Sequence, residues 1–87
     1  MDLILFGAGW SGEHREINRE DIVEERAERF YKYIPHIREP KLREARFKVK
    51  EYYCESDGEI YMIGFSGPEP LMPDVEEAIL INRPRPF

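Results

Sequence analysis

Apolar and polar residues alternate in two runs on either side of Glu55-Ser56-Asp57-Gly58, and the unit from Leu42 to Phe65 predicts a β-hairpin. Two turns are open to it: a two-residue turn at Asp57-Gly58, or a type I turn over Glu55 to Gly58 with Gly58 as a positive-φ bulge. The bulged form pairs Tyr53 with Tyr61, Glu51 with Ile63 and Val49 with Phe65. It collects Phe47, Val49, Tyr53, Tyr61, Ile63 and Phe65 on one face, interrupted only by Glu51, whereas the two-residue turn divides them. Burial of a single face favours the bulged register.

Leu3-Ile4-Leu5-Phe6 is a continuous apolar run that predicts a strand at the centre of the sheet. Val23, Ala27, Phe30 and Ile34 recur at helical spacing, behind Asn18 as N-cap and an Ile17–Ile22 staple. Acidic residues crowd the first turns and basic ones follow, with Glu25–Arg29 and Glu28–Lys32 at i, i+4, so a helix ending at Pro35 is expected. His36 then lies in a rigid connector between Pro35 and Pro40. Pro73 opens a brief helical turn through Glu77, and Ala78-Ile79-Leu80-Ile81 reads as a fourth strand, although Val75, Ala78 and Ile79 also suit a two-turn helix.

This order predicts an α+β fold: a four-stranded antiparallel or mixed sheet with one main helix on one face, in ferredoxin-like βαββ(α)β order with a stunted second helix. Residues 1–83 form one domain, and 84–87 an extended proline-containing tail whose Phe87 either docks or frays.

Composition narrows the function classes. Charged residues make up 36% of the 87-residue chain, with 14 Glu, 9 Arg and neither Gln nor Thr. That bias resembles heat-adapted proteins, or the drift of a small chain. A net charge of −5 disfavours a general nucleic-acid binder. The single cysteine implies no internal disulfide, and Asp2 together with the short apolar runs implies neither a signal peptide nor a membrane span. A soluble, cytoplasmic protein is expected.

Candidate chemistry is sparse. Gly7-Ala8-Gly9-Trp10-Ser11-Gly12 follows a strand and matches the pattern that cradles a pyrophosphate, so Gly7, Gly9 and Gly12 with His14 and Arg15 form a candidate anion loop for a small nucleotide-binding enzyme. The charged Glu13-His14-Arg15-Glu16 that follows does not suit the helix this motif needs. Arg46, Lys48, Lys50 and Tyr52 share one strand face and could grip single-stranded nucleic acid. Nearer the turn, Tyr52, Cys54, Ile60 and Met62 extend that face as an apolar patch, a candidate interaction face for a protein partner or a second copy. Glu51, if held inward and unpaired, would be the best acid or base; a local bulge would turn it outward. His14, His36 and Cys54 have no metal-ligand spacing, and neither metal nor cofactor is implied. The leading expectation is a non-enzymatic protein–protein interaction module, a small regulator, inhibitor or accessory subunit, acting through an open sheet face.

Overall fold

The computed structural model describes residues 1–33 and 45–87. The helix end at Pro35, the His36 connector and the Leu42 start of the hairpin lie outside the described residues. The chain is an α+β protein with one α-helix and a six-strand mixed sheet, so four strands were too few. Strands β1 (Asp2–Gly7), β2 (Trp10–Glu16), β3 (Ile22–Glu25), β4 (Glu28–Tyr33), β5 (Ala45–Tyr53) and β6 (Ile60–Phe65) take the order β2-β1-β6-β5-β4-β3. β1 and β6 run parallel; every other neighbouring pair is antiparallel. Helix α1 (Met72–Asn82) lies against β2, β1 and β6. No helix among the described residues is long and apolar enough to cross a membrane.

The largest departure from the sequence reading is at 18–33, where the expected helix is replaced by a 3₁₀ turn over Arg19–Asp21 and the β3–β4 hairpin. Arg26 and Ala27 have φ of 51° and 63°, the left-handed pair that a two-residue turn needs to match strand twist. Ile22 faces Tyr31 and Val23 faces Phe30 across the hairpin. β-branched and aromatic side chains suit such a surface, and the contacts of Ile22 and Tyr31 with the core outweigh a few tenths of a kcal/mol from each helical ion pair. The same charges are reused between strands: Glu25 pairs with Arg46, Glu28 with Lys48 at 3.0 Å, and Arg29 with Glu51 at 3.9 Å.

The β5–β6 register is also shifted by one residue from the favoured one. Tyr52 faces Tyr61, Lys50 faces Ile63 and Val49 faces Gly64, with Cys54 and Glu59 closing a four-residue loop. The apolar residues are therefore divided between two faces, because the sheet buries both. Ile4, Tyr61, Ile63 and Phe65 pack with Val75, Ala78 and Ile79 of α1. On the opposite face Leu3, Leu5, Ile17, Tyr31, Phe47, Val49 and Met62 form a second cluster, with Leu3 and Phe47 fully buried. β1 is interior rather than central, one place in from the β2 edge: it is hydrogen-bonded on both sides and buried on both faces.

α1 replaces the expected fourth strand at 78–81. Pro73 fits its first turn, Val75, Ala78 and Ile79 supply the buried stripe, and Arg83 ends it in the left-handed region with its N–H donating to Ile79 O. Burial of Val75 and Ile79 contributes roughly 3–6 kcal/mol as an upper figure. α1 packs directly over Gly12, where a Cβ would lie 2.7 Å from Ala78 Cβ and where φ is 106°. Asn82 Nδ2 donates to Gly12 O at 2.9 Å in the same contact.

Two glycine substitutions separate packing from turn geometry. Gly12→Val should lower stability by on the order of 3 kcal/mol, since it combines a backbone conformation that disfavours side chains with a clash against α1. Gly9→Ala, at a φ of 91° but with open space around it, should cost about 1 kcal/mol. Urea midpoints of the two variants would show this gap; equal losses would mean that α1 does not press on β2 there.

Candidate functional site

The glycine pattern folds as a hairpin rather than an anion cradle. Ala8 and Gly9, at φ of 51° and 91°, form the two-residue turn between β1 and β2, with Gly7 paired to Trp10. Gly12 lies within β2 under α1, beside an irregularity that sets Gly12 and Glu13 opposite Leu5. His14 and Arg15 pair with Ile4 and Leu3, toward the other end of the strand. The five candidate residues are thus strung along one hairpin, and no helix N-terminus follows to receive a phosphate.

At that far end a different constellation forms. Asp2, 7% exposed, accepts hydrogen bonds from Arg85 N at 2.7 Å and Arg85 Nη2 at 3.0 Å, and His14 Nε2 lies 3.9 Å away. Arg85 also reaches Glu16 at 3.2 Å. The Arg85 bonds hold the Asp2 carboxyl below its ordinary range against the opposing effect of burial. Phe87 N donates to Ile60 O at 2.7 Å, so residues 84–87 are tied to the body, and Arg19 lies 4.7 Å above the Phe87 ring.

The expected interaction quartet is split. Tyr52 and Cys54 lie on the helix side, and Met62 is buried on the opposite face. Ile60 stays 40% exposed at the sheet's end. The register shift and α1 together remove the open apolar face. Around Tyr52 and Cys54 the structure builds a hydrogen-bonded cluster instead. Cys54 Sγ donates to Glu76 Oε2 at 2.8 Å, and Tyr61 Oη donates to Asp57 Oδ2 at 2.6 Å. Burial, then the Glu76 bond, pushes the Cys54 thiol up, so it is a neutral donor and not an activated nucleophile. Burial, with Glu76 close by, raises the Tyr52 phenol to about 12. The Asp57 bond lifts Tyr61 to about 12 as well.

Arg46, Lys48 and Lys50 do share one face of β5, but each meets a carboxylate: Glu25, Glu28 and, at 2.6 Å, Glu69. Arg46 also stacks 3.8 Å above the Phe30 ring. The stripe exists and its charge is neutralised; Tyr52, its expected stacking platform, sits beside the α1 core. Glu51 pairs in regular register with Met62, and its side chain is 51% exposed, so it is not an inward acid. Among the described residues no group of three or more His, Cys, Asp or Glu could hold a metal.

A cavity of about 510 Å³ opens between α1 and β2, with Phe6, Trp10 and Ile81 as apolar lining and Glu13, Asp74 and Glu77 as acidic lining. Ser11 N donates to Glu13 Oε2 at 2.6 Å, which holds that carboxyl below its usual range. Beside the cavity, α1 exposes Leu80 at 73% and Ile81 at 68%, and Leu71 and Met72 are exposed at its start. Sequence reasoning missed this site because it assigned 78–81 to a strand. As a helix, Asp74, Glu77 and Ile81 fall on one side, and that spacing was the available signal.

The Asp2–Arg85 bond makes a pH prediction. A carboxyl whose native pKa is depressed below its ordinary 3.8 stabilises the fold above that value and loses the contribution as pH falls through the native value. Asp2→Asn should cost on the order of 1 kcal/mol at pH 7, discounted because Arg85 is largely exposed. Urea midpoints of wild type and variant should converge between about pH 5 and the acid side of 3.8.

Comparison with known proteins supplies no relative: no protein family, curated protein or solved structure matches this chain.

Proposed function

We propose that this protein is a non-enzymatic protein–protein interaction module that docks a partner on the outer side of α1 and the adjoining cavity. The observation that carries the reading is the exposure of Leu80 and Ile81, more than two-thirds open on the helix that closes one core. Large apolar side chains grouped on one exposed element mark binding surfaces more often than stability devices. A different protein fits better than a second copy. A two-fold contact uses the same patch twice and would bring Glu13, Asp74 and Glu77 to both sides of the interface.

The two other readings have less support. Nucleic-acid binding through β5 would first have to break three ion pairs, and an acid-lined cavity repels phosphate. The anion-loop enzyme lacks its loop, since the glycines form a hairpin. A cytoplasmic site of action accords with the single, reduced and buried Cys54.

Panning a displayed random-peptide library against the immobilised full chain tests the reading. Selected peptides should bind wild type and lose about tenfold or more in affinity to the Leu80→Ser, Ile81→Ser double variant. The variant should keep its thermal midpoint within a few degrees, because both side chains are largely exposed. Peptides that ignore the substitutions, or a library that yields none, would reject α1 as the docking surface.

A further inference from the structure

The −5 net charge is unevenly placed. On β5 each of Arg46, Lys48 and Lys50 meets a carboxylate, and Asp2 and Glu16 share Arg85. Glu13, Asp74 and Glu77 line one cavity, and no cation among the described residues pairs with any of them. Asp74 and Glu77 come from successive turns of α1 and Glu13 from the facing strand, so negative charge approaches the cavity from both walls. Phe6 and Ile81 supply apolar lining beside them. A second cavity of about 230 Å³ near Phe87 is lined by Arg19 and Arg29 as well as Glu24 and has no such bias.

We infer that the cavity between α1 and β2 is a recognition site for an arginine-containing apolar segment of a partner protein, with the guanidinium held among Glu13, Asp74 and Glu77 and the apolar residues laid along Ile81. This rests on the reading of α1 as the docking surface and adds the partner's chemistry. Charge selects the occupant: three exposed carboxylates with no cation partner among the described residues converge on one cavity, and their summed negative potential draws a cation there. Geometry favours arginine over lysine, because a planar fork can bond two carboxylates while its faces rest on apolar lining. The stem of such a side chain is apolar and suits the wall between the acids.

Trp10 lines the cavity and is the single tryptophan of the chain, so its emission reports occupancy without a label. The probe is the amidated hexapeptide leucyl-arginyl-leucyl-leucyl-arginyl-leucine, titrated into the full chain beside a counterpart in which citrulline replaces each arginine. The arginine peptide should shift Trp10 emission saturably, bind about tenfold or more tightly than the citrulline peptide, and weaken as salt is raised. Asp74→Asn with Glu77→Gln should abolish that preference, whereas Glu20→Gln with Glu59→Gln, an equal charge change at exposed sites elsewhere, should leave it intact. Equal binding of the two peptides, or a preference surviving the cavity variant, would overturn the inference. If either result came with peptides that still depend on Leu80 and Ile81, α1 would remain the docking surface. Absence of any saturable shift would overturn the inference as well, and library peptides independent of α1 would then remove both readings.

Discussion

The structure depends on the parallel pairing of β1 with β6. Leu3, Ile4, Leu5 and Phe6 lie beside Met62, Ile63, Gly64 and Phe65, joining the first strand of the chain to the last. A parallel neighbour offers no tight turn, so this ladder must be held by what covers it. Both faces supply that cover. Ile4 and Ile63 belong to the cluster under α1, and Leu3, Leu5 and Met62 belong to the opposite cluster with Phe47 and Val49. Gly64 leaves room for the Leu3 and Leu5 side chains to close over the join, each lying 3.2 Å from where its Cβ would be. The β1–β2 hairpin and the β3 to β6 meander are two antiparallel units, and this one seam makes them a single sheet.

Burying both faces leaves little apolar surface on the sheet itself, and this governs where a partner can bind. The helix side beyond α1 is occupied by ion pairs between β5 and the β3–β4 hairpin. Exposed pairs of this kind contribute little to stability, but they satisfy a basic stripe that would otherwise attract anions. α1 carries both large exposed apolar side chains, Leu80 and Ile81, and carboxylates, Asp74 and Glu77, that lack partners among the described residues. Binding capacity follows from the charge balance as much as from shape.

The α+β class was legible in the sequence, though not the six-strand order in place of a four-stranded ferredoxin-like one, and so was the two-sided cover of Leu3 to Phe6, because a short run apolar at every position needs cover on both sides. The β5–β6 hairpin was legible as an element but not in register. The burial argument assumed one dry face; with two, the division of Phe47 and Val49 from Tyr61, Ile63 and Phe65 carries no cost. Residues 18–33 misled because Val23, Ala27 and Phe30 satisfy a 3.6 period while Ile22, Tyr31 and their neighbours satisfy a period of two. Arg26-Ala27 lacks the Asn-Gly signature that would have signalled the turn. At 72–82 both readings were available, and the decisive contact is long-range: α1 fits because Gly12, sixty-odd residues earlier, has no side chain. The cavity depends on that packing and could not be placed before it.

The β1–β6 seam also sets an order of events as the chain leaves the ribosome. β1 and β2 can form their hairpin early, since a two-residue turn closes it. The open edge of β1 cannot be filled until residues near 60 emerge, and α1, which seals one face, follows later still. Until β6 emerges, Leu3, Ile4 and Leu5 lie in a strand with an unfilled edge, the condition in which nascent chains pair with one another. The long loop that must close before the seam forms makes this a folding step governed by topology rather than by local preference. Cells making this protein would meet the apolar strand β1 well before the strand and helix that protect it.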